Sequence, residues 1–490
     1  MCEFETAKRP SALRRLRGTA SDVGQFLGRF KTDESGNMSF LAVIGSLSLI
    51  AFGGIGIDLM YTEMKRTKVQ ATLDRAVLAA TDLEQGLVPQ DVMQDYFDKM
   101  QMPDALTSVT VNTGLNYRNV TGTAYVGTPS NFTAMLGLDT LVAEGTSSAE
   151  ERISNVEISL VLDISGSMEA ETTTDGTDVA AGTTKIEMLQ TATNTFLDTV
   201  LTTDNADLVS VSLVPYSEHV NVGPDIASNL NVNWRHGYSH CLEFPQTNFD
   251  SVSLDTSQTF EQAQHYQWNF YGYNHVDDTV CPQYSYERVT PFSQDINALK
   301  KQVGDLQPRA GTSIFLGMKW GAALLDPSMR SINSTLAANG VTDTAFSTRP
   351  AEYDDENTLK TIVLMTDGQN SNSYRISDFA YNAESEYAHW ASNNFWYYLQ
   401  TQVEQKYWGY YYYQKYNAEL GDILMANICN AAKEAGIVVW SIGFEVTDHG
   451  AQQMANCASS PAHFFRVEGA ELEKTFYSIG RAINQLRLTQ

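Results

Sequence analysis

Residues Met38 to Ile57 read MSFLAVIGSLSLIAFGGIGI, a run of twenty without a charge. No polar face interrupts it, which argues against a core helix of a soluble domain. As one helix it is long enough to cross the hydrocarbon core of a bilayer. Lys8, Arg9, Arg14, Arg15, Arg17, Arg29 and Lys31 all precede it. By the positive-inside rule the amino-terminus stays in the cytoplasm and the remainder is exported. A cleaved signal peptide is the competing reading, but it calls for a shorter apolar stretch and an A-x-A-like cleavage site. Asp58 and a long helical pattern follow instead. An uncleaved single-pass anchor is therefore expected over 38–57, behind a basic segment over 1–37.

The net charge is −26, and residues 1–31 carry +4, leaving −30 for residues 32–490. An acidic body repels phosphates and argues against a nucleic-acid partner. Five cysteines are present. Cys2 falls on the cytoplasmic side, whereas Cys241, Cys281, Cys429 and Cys457 fall on the exported side, where disulfides persist. Pairing 241 with 281 and 429 with 457 is favoured. Four cysteines allow three connectivities, however, and the sequence does not choose among them. No C-x-x-C pair suggests zinc.

After the anchor, Leu59 to Glu84 continues as an amphipathic helix, with Met64, Val69, Leu73, Val77 and Leu78 near helical spacing. Short alternating runs between Leu106 and Ala149 suggest a small α+β unit within 58–154, or else a mere spacer. From about residue 155 strands alternate with helices. Val156–Leu162, Leu208–Val214, Thr361–Met365 and Ile437–Ile442 read as strands. Lys185–Leu201, Ile296–Leu306, Ile314–Leu325 and Glu471–Leu486 read as helices. This alternation predicts an α/β fold for 155–490, a doubly wound, mostly parallel sheet covered on both faces.

Two insertions interrupt that plan. The first, about 216–292, holds Trp234, His236, His240, Cys241, Trp268, His275 and Cys281. Its irregular spacing reads as a disulfide-pinned loop with surface histidines. The second, about 373–416, is rich in rings, among them Trp390, Trp396, Tyr397, Trp408 and Tyr411. Such rings suit a recognition surface for protein, glycan or polymer. They equally suit a self-packed subdomain, and that reading is slightly favoured.

Three distant pieces converge on one chemistry. Asp163-Ile164-Ser165-Gly166-Ser167 follows the first strand, Gly311-Thr312-Ser313 precedes a helix, and Thr366-Asp367-Gly368 follows another strand. In an open parallel sheet, ligands bind outside the carboxyl ends of strands. Asp163, Ser165, Ser167, Thr312 and Asp367 can therefore meet there as an all-oxygen set suited to a hard cation. The plainer alternative is ordinary turn and cap chemistry.

The constellation resembles the metal-ion-dependent adhesion site of von Willebrand factor type A domains, with all five positions filled in the family's chain order. The resemblance implies bound Mg²⁺ or Mn²⁺. Ser165, Ser167 and Thr312 would be near ligands, Asp163 and Asp367 direct or water-mediated ones, and a protein partner would supply a further Asp or Glu. The segment Gly36–Phe40 with Gly56-Ile57-Asp58 resembles TadG- and TadE-like proteins of Flp (tight-adherence) pilus assembly. Residues 431–437, Ser441–Phe444 and Cys457–Pro461 resemble the end of TadG-like proteins. Leu41 stands where type IV pilins carry a Glu. The resemblance implies a component of the bacterial inner membrane with its main domain periplasmic or extracellular.

A binding protein of pilus assembly is thus expected, with an envelope adhesin or sensor unrelated to pili as the alternative. An enzyme is disfavoured. Haloacid-dehalogenase-type phosphatases need a second Asp where Ser165 stands, and no H-E-x-x-H or G-x-S-x-G motif occurs.

Overall fold

The computed structural model describes residues 37–82, 87–113, 117–152, 155–173, 179–355 and 357–489, so the basic segment and Cys2 lie outside the described residues. The chain divides into two compact units, Met1–Glu151 and Arg152–Gln490.

In the first unit, helix α1 (Asn37–Thr81) runs unbroken through the uncharged stretch. It is long and apolar enough to cross a membrane. Its first half exposes Met38, Phe40, Leu41, Leu47, Ile50 and Phe52. Its second half changes character. Val69, Leu73, Ala76, Val77 and Ala80 form a stripe at helical spacing and are buried. They pack with Val92, Met93 and Phe97 of α2 (Pro89–Lys99). Strands β1 (Leu106–Thr113), β2 (Tyr117–Pro129) and β3 (Thr140–Arg152) form a sheet in that order and complete this core. The segment after the apolar run therefore has a core of its own.

The second unit begins with β4 (Asn155–Asp163), α3 (Lys185–Val200) and β5 (Val209–Tyr216). A small sheet of β6 (Asn231–Asn233), β7 (Leu242–Glu243) and β8 (Thr259–Gln262) comes next. The chain returns through β9 (Thr290–Ser293), α4 (Ile296–Asp305), α5 (Ile314–Ala323), α6 (Arg330–Ala338) and β10 (Thr358–Thr366). A second excursion contains β11 (Ser373–Ile376), α7 (Glu384–Trp390), α8 (Phe395–Gln402) and β12 (Tyr412–Tyr416). Then come α9 (Ala418–Glu434), β13 (Val438–Phe444), α10 (Asp448–Cys457), β14 (Phe464–Val467) and α11 (Glu471–Thr489).

The main sheet has the order β14-β13-β10-β4-β5-β9. All its pairings are parallel except β5 with β9. The order reverses between β4 and β10, the position at which open α/β sheets leave a crevice. Side chains alternate along β4. Ile158, Leu160 and Leu162 join Leu189, Phe196, Phe476 and Ile479 on one face. Val161 joins Phe315, Trp320 and Ile428 on the other. A Cβ on Gly321 would lie 2.5 Å from Val161, so glycine there lets α5 rest on the sheet.

The two insertions are not separate. Tyr266 and Val280 of the first share one core with Ile376, Trp390, Phe395 and Leu399 of the second. Trp268 stacks on Tyr374 with ring centroids 4.3 Å apart. This corrects two expectations. Trp390 is withdrawn from any partner surface: it is 3% exposed, and its indole N–H donates to the Ala380 carbonyl at 2.6 Å. Trp396, Tyr397, Trp408 and Tyr411 are half-buried, and the outward rings are Phe379, Tyr407, Tyr410 and Tyr413. His236 and His240 are half-buried rather than on the surface. His236 is held between Gln262 and the Ala263 carbonyl, and burial lowers its pKa to about 4. His275 is exposed, as expected.

Cys241 is bonded to Cys281 and Cys429 to Cys457. The first bond closes a loop with a sequence separation of 40. Replacing both Cys241 and Cys281 with Ser should lower unfolding free energy by about 3–4 kcal/mol, from the chain-entropy relation. Denaturant titration of the variant against the oxidised parent checks this value, and unchanged stability would refute it.

Candidate metal site

Parallel pairing sets β4 beside β10 with Leu162 opposite Met365. Both strands end one residue later, which delivers Asp163, Thr366 and then Asp367 to the same sheet edge. The Thr366 hydroxyl donates to Asp163 Oδ2 at 2.6 Å, and the Ser165 backbone N–H donates to Oδ1 at 2.8 Å. The Tyr216 hydroxyl, at the end of β5, donates to the Met365 carbonyl at 3.0 Å and lies 3.4 Å from Asp163 Oδ2. Ser165 and Ser167 hydroxyls are 3.0 Å apart, and Ser167 donates to Asp367 Oδ1 at 2.6 Å. Asp163, Ser165, Ser167 and Asp367 are thus one hydrogen-bonded cluster.

Thr312 reaches the same edge through its backbone. Gly166 N–H donates to the Ala310 carbonyl at 3.0 Å. Ser371, four residues beyond Asp367, donates its backbone N–H to the Thr312 carbonyl at 2.8 Å and accepts from Thr312 N–H at 2.9 Å. Ala310 takes φ +55° at the bend into this loop.

Asp163 is fully buried, and Asp367 is 5% exposed. Burial and then the negative charge of Asp367 push the Asp163 carboxyl up to about 7. Asp367 has a cation beside it. Lys185 Nζ lies 2.9 Å from its Oδ2 and 3.7 Å from Glu445 Oε2. Glu445 also accepts from Thr173 N–H at 2.8 Å and from the Thr172 hydroxyl. Burial opposes ionisation of Glu445, but these donors and Lys185 outweigh it and hold its carboxyl below the usual range.

Lys185, Glu445, Tyr216 and Thr366 were assigned no role in the site from the sequence. Lys185 had a signal. It is the first residue of α3, where the helix dipole disfavours a cation, so an acidic partner was called for.

Among the described residues no three His, Cys, Asp or Glu side chains cluster as a metal site. The candidate set instead offers two carboxylates and hydroxyls. Asp163 is buried among neutral donors, and a buried carboxylate without a cation is costly. The donor chemistry therefore fits a hard divalent ion.

The molecule is a mixed α/β protein with an oxygen cluster at the strand-order reversal and an apolar amino-terminal helix. Residues 36–82 match the family described as putative Flp pilus-assembly TadE/G-like, which supports a pilus-related role. No curated protein matches the chain in sequence. Among solved structures, it is similar to the SpaC pilus adhesin of Lactobacillus rhamnosus GG at 13% identity and TM-score 0.32, over 77% of this chain and 34% of SpaC. The chain thus spans about a third of that adhesin. It is similar to the vWF domain of the type V pilus tip protein Mfa5 from Porphyromonas gingivalis at 14% identity and TM-score 0.33, over 68% and 96% of the two chains. Mussel byssus proximal thread matrix protein 1, with a zinc-occupied MIDAS motif, shows 12% identity and TM-score 0.29, over 68% and 46%. All three likenesses are distant in sequence and in shape.

Proposed function

We propose that this chain is a membrane-anchored, exported binding component of Flp-type pilus assembly. Its sheet unit is read as a von Willebrand factor type A-like domain that takes Mg²⁺ or Mn²⁺. The observation that carries this reading is the meeting of Asp163 and Asp367 at the strand-order reversal, linked through Ser165, whose backbone N–H donates to Asp163, and the Ser167 hydroxyl, which donates to Asp367. Ser165, Ser167 and Thr312 supply hydroxyl oxygens, and Asp163 and Asp367 supply charge. The bound ion would furnish a positive centre for an Asp or Glu of a protein partner. The role is binding rather than catalysis, and the amino-terminal family match points the same way. The anchor is residues 38–57, with the sheet unit on the periplasmic or outer side.

Calorimetric titration of the detergent-solubilised chain with Mg²⁺, Mn²⁺ and Zn²⁺ tests the site. Saturable binding of Mg²⁺ or Mn²⁺ supports it, and no binding by folded protein refutes it.

The reading carries a pH dependence. Asp163 holds a proton in the folded, metal-free site up to about pH 7, and a cation must displace it. Affinity should fall roughly tenfold per pH unit below that point, one proton being released. Without metal the sign reverses. Between the ordinary carboxyl value of 3.8 and about 7 the folded state binds a proton that the unfolded state has lost, so stability declines as pH rises through that window. Titrations in buffers of different ionisation heat count the proton, and a pH-independent affinity would contradict the assignment.

A further inference from the structure

The turn joining β2 to β3 packs back on α1 at the end of its uncharged run. Asp58 Oδ2 accepts the backbone N–H groups of Phe132 and Thr133 at 2.7 and 2.9 Å. One turn earlier, a Cβ on Gly54 would lie 2.1 Å from the Phe132 ring, so only glycine admits this contact. The helical turn Thr133–Leu136 is thereby pinned beside the last turn of the apolar stretch. Yet Met135, Leu136 and the nearby Leu138 find no cover: Met135 is 76% exposed, Leu136 67% and Leu138 53%. These three continue the exposed apolar surface of residues 38–57, while the charged residues of α1 begin at Asp58, Glu63 and Lys65.

We infer that this β2–β3 tip is a second membrane contact, seating Met135, Leu136 and Leu138 in the interfacial layer of the bilayer beside the anchor. The inference rests on the reading of 38–57 as a membrane anchor. Its occupant is lipid, because the patch is continuous with the helix surface that faces the hydrocarbon. A bare helix can rotate and tilt freely. A helix with a side-mounted apolar tip at the interface has one preferred rotation, which fixes how the rest of the first unit meets the membrane.

The test uses the full chain with Cys2→Ser, carrying Leu136→Cys, Leu47→Cys or Val111→Cys labelled with an environment-sensitive fluorophore. The protein is placed in phosphatidylethanolamine–phosphatidylglycerol vesicles with lipid quenchers at shallow or deep positions. Val111 pairs with Val120, far along β2 from the tip, about 30 Å away at strand rise. The expected result is strong quenching of the Leu136 probe by the shallow quencher, of the Leu47 probe by the deep one, and none at Val111. Quenching at Leu47 with a water-like Leu136 probe overturns the tip contact and leaves the anchor standing; the patch then awaits a protein. A water-like probe at Leu47 overturns the anchor and the tip contact together.

Discussion

Asp163→Asn should weaken Mg²⁺ binding by more than about a hundredfold, since loss of an outer-shell partner alone costs 10–100-fold at metal sites. The substitution leaves an amide oxygen to accept from Ser165 N–H and turns the amide NH2 toward the Thr366 hydroxyl, which can accept from it. Above about pH 7 it also removes a buried charge, so there the metal-free protein should keep or raise its melting temperature. What disappears is the stabilisation on adding metal, worth about 2.7 kcal/mol at a hundred times Kd. Thermal scans of parent and variant with and without Mg²⁺ separate the two effects. A variant still stabilised by Mg²⁺ would place the ion elsewhere. Lys185→Met gives the opposite sign. It withdraws the ammonium from Asp367, and affinity should tighten on the order of tenfold. Unchanged affinity would show that Lys185 does not compete for the site.

Arg375→Met should lower stability by about 3–5 kcal/mol, the usual cost of stranding buried charge. Arg375 is 2% exposed and lies between carboxylates of the first insertion. Its Nε donates to Glu243, its Nη1 donates to Ser373 Oγ at 2.8 Å, and Nη1 stands 3.9 Å from Glu218. Burial works against ionisation of Glu243, but Arg375, His219 and Lys415 prevail and hold its carboxyl down to about 2. Without the guanidinium both glutamates are buried with too little positive charge. Adding Glu243→Gln and Glu218→Gln should return much of the loss. Denaturant unfolding of the single and triple variants measures this coupling, and equal stabilities would remove Arg375 as the clamp between the insertions.

The strands that place the candidate site were legible because each is a run of Val, Ile and Leu ending at a polar residue. Asp163 and Asp367 announced themselves by position. The surroundings were not legible, because they come from sequence-distant side chains. Tyr216 was absorbed into the start of an insertion, and Glu445 lies in the turn after β13. The aromatic insertion was legible in part: its rings do pack into a core, but which of them stay outward was not readable. Ring content alone does not say which face meets solvent. What buries Trp390 and Phe395 is partly Tyr266 and Trp268, which stand before β9 and seemed to belong to another loop. His236 misled similarly, since its burial depends on Gln262 and Tyr387 around it.

The shared core of the two insertions also sets an order of assembly. His265 N–H donates to the Tyr381 hydroxyl across 116 residues of chain. On the proposed topology the amino-terminus stays inside and the chain emerges from the anchor onward, so Tyr266 and Trp268 are presented long before their partners. At synthesis rates of about 5–20 residues per second, those rings wait several seconds with their apolar faces uncovered. The Cys241–Cys281 bond can close during that interval, because both cysteines have already emerged. The first insertion is then a tethered half-template, and residues 373–416 finish it on arrival. A chain stalled or clipped between β9 and β11 would leave Tyr266 without Trp390 and Phe395 to cover it, an exposed aromatic face at risk of wrong association.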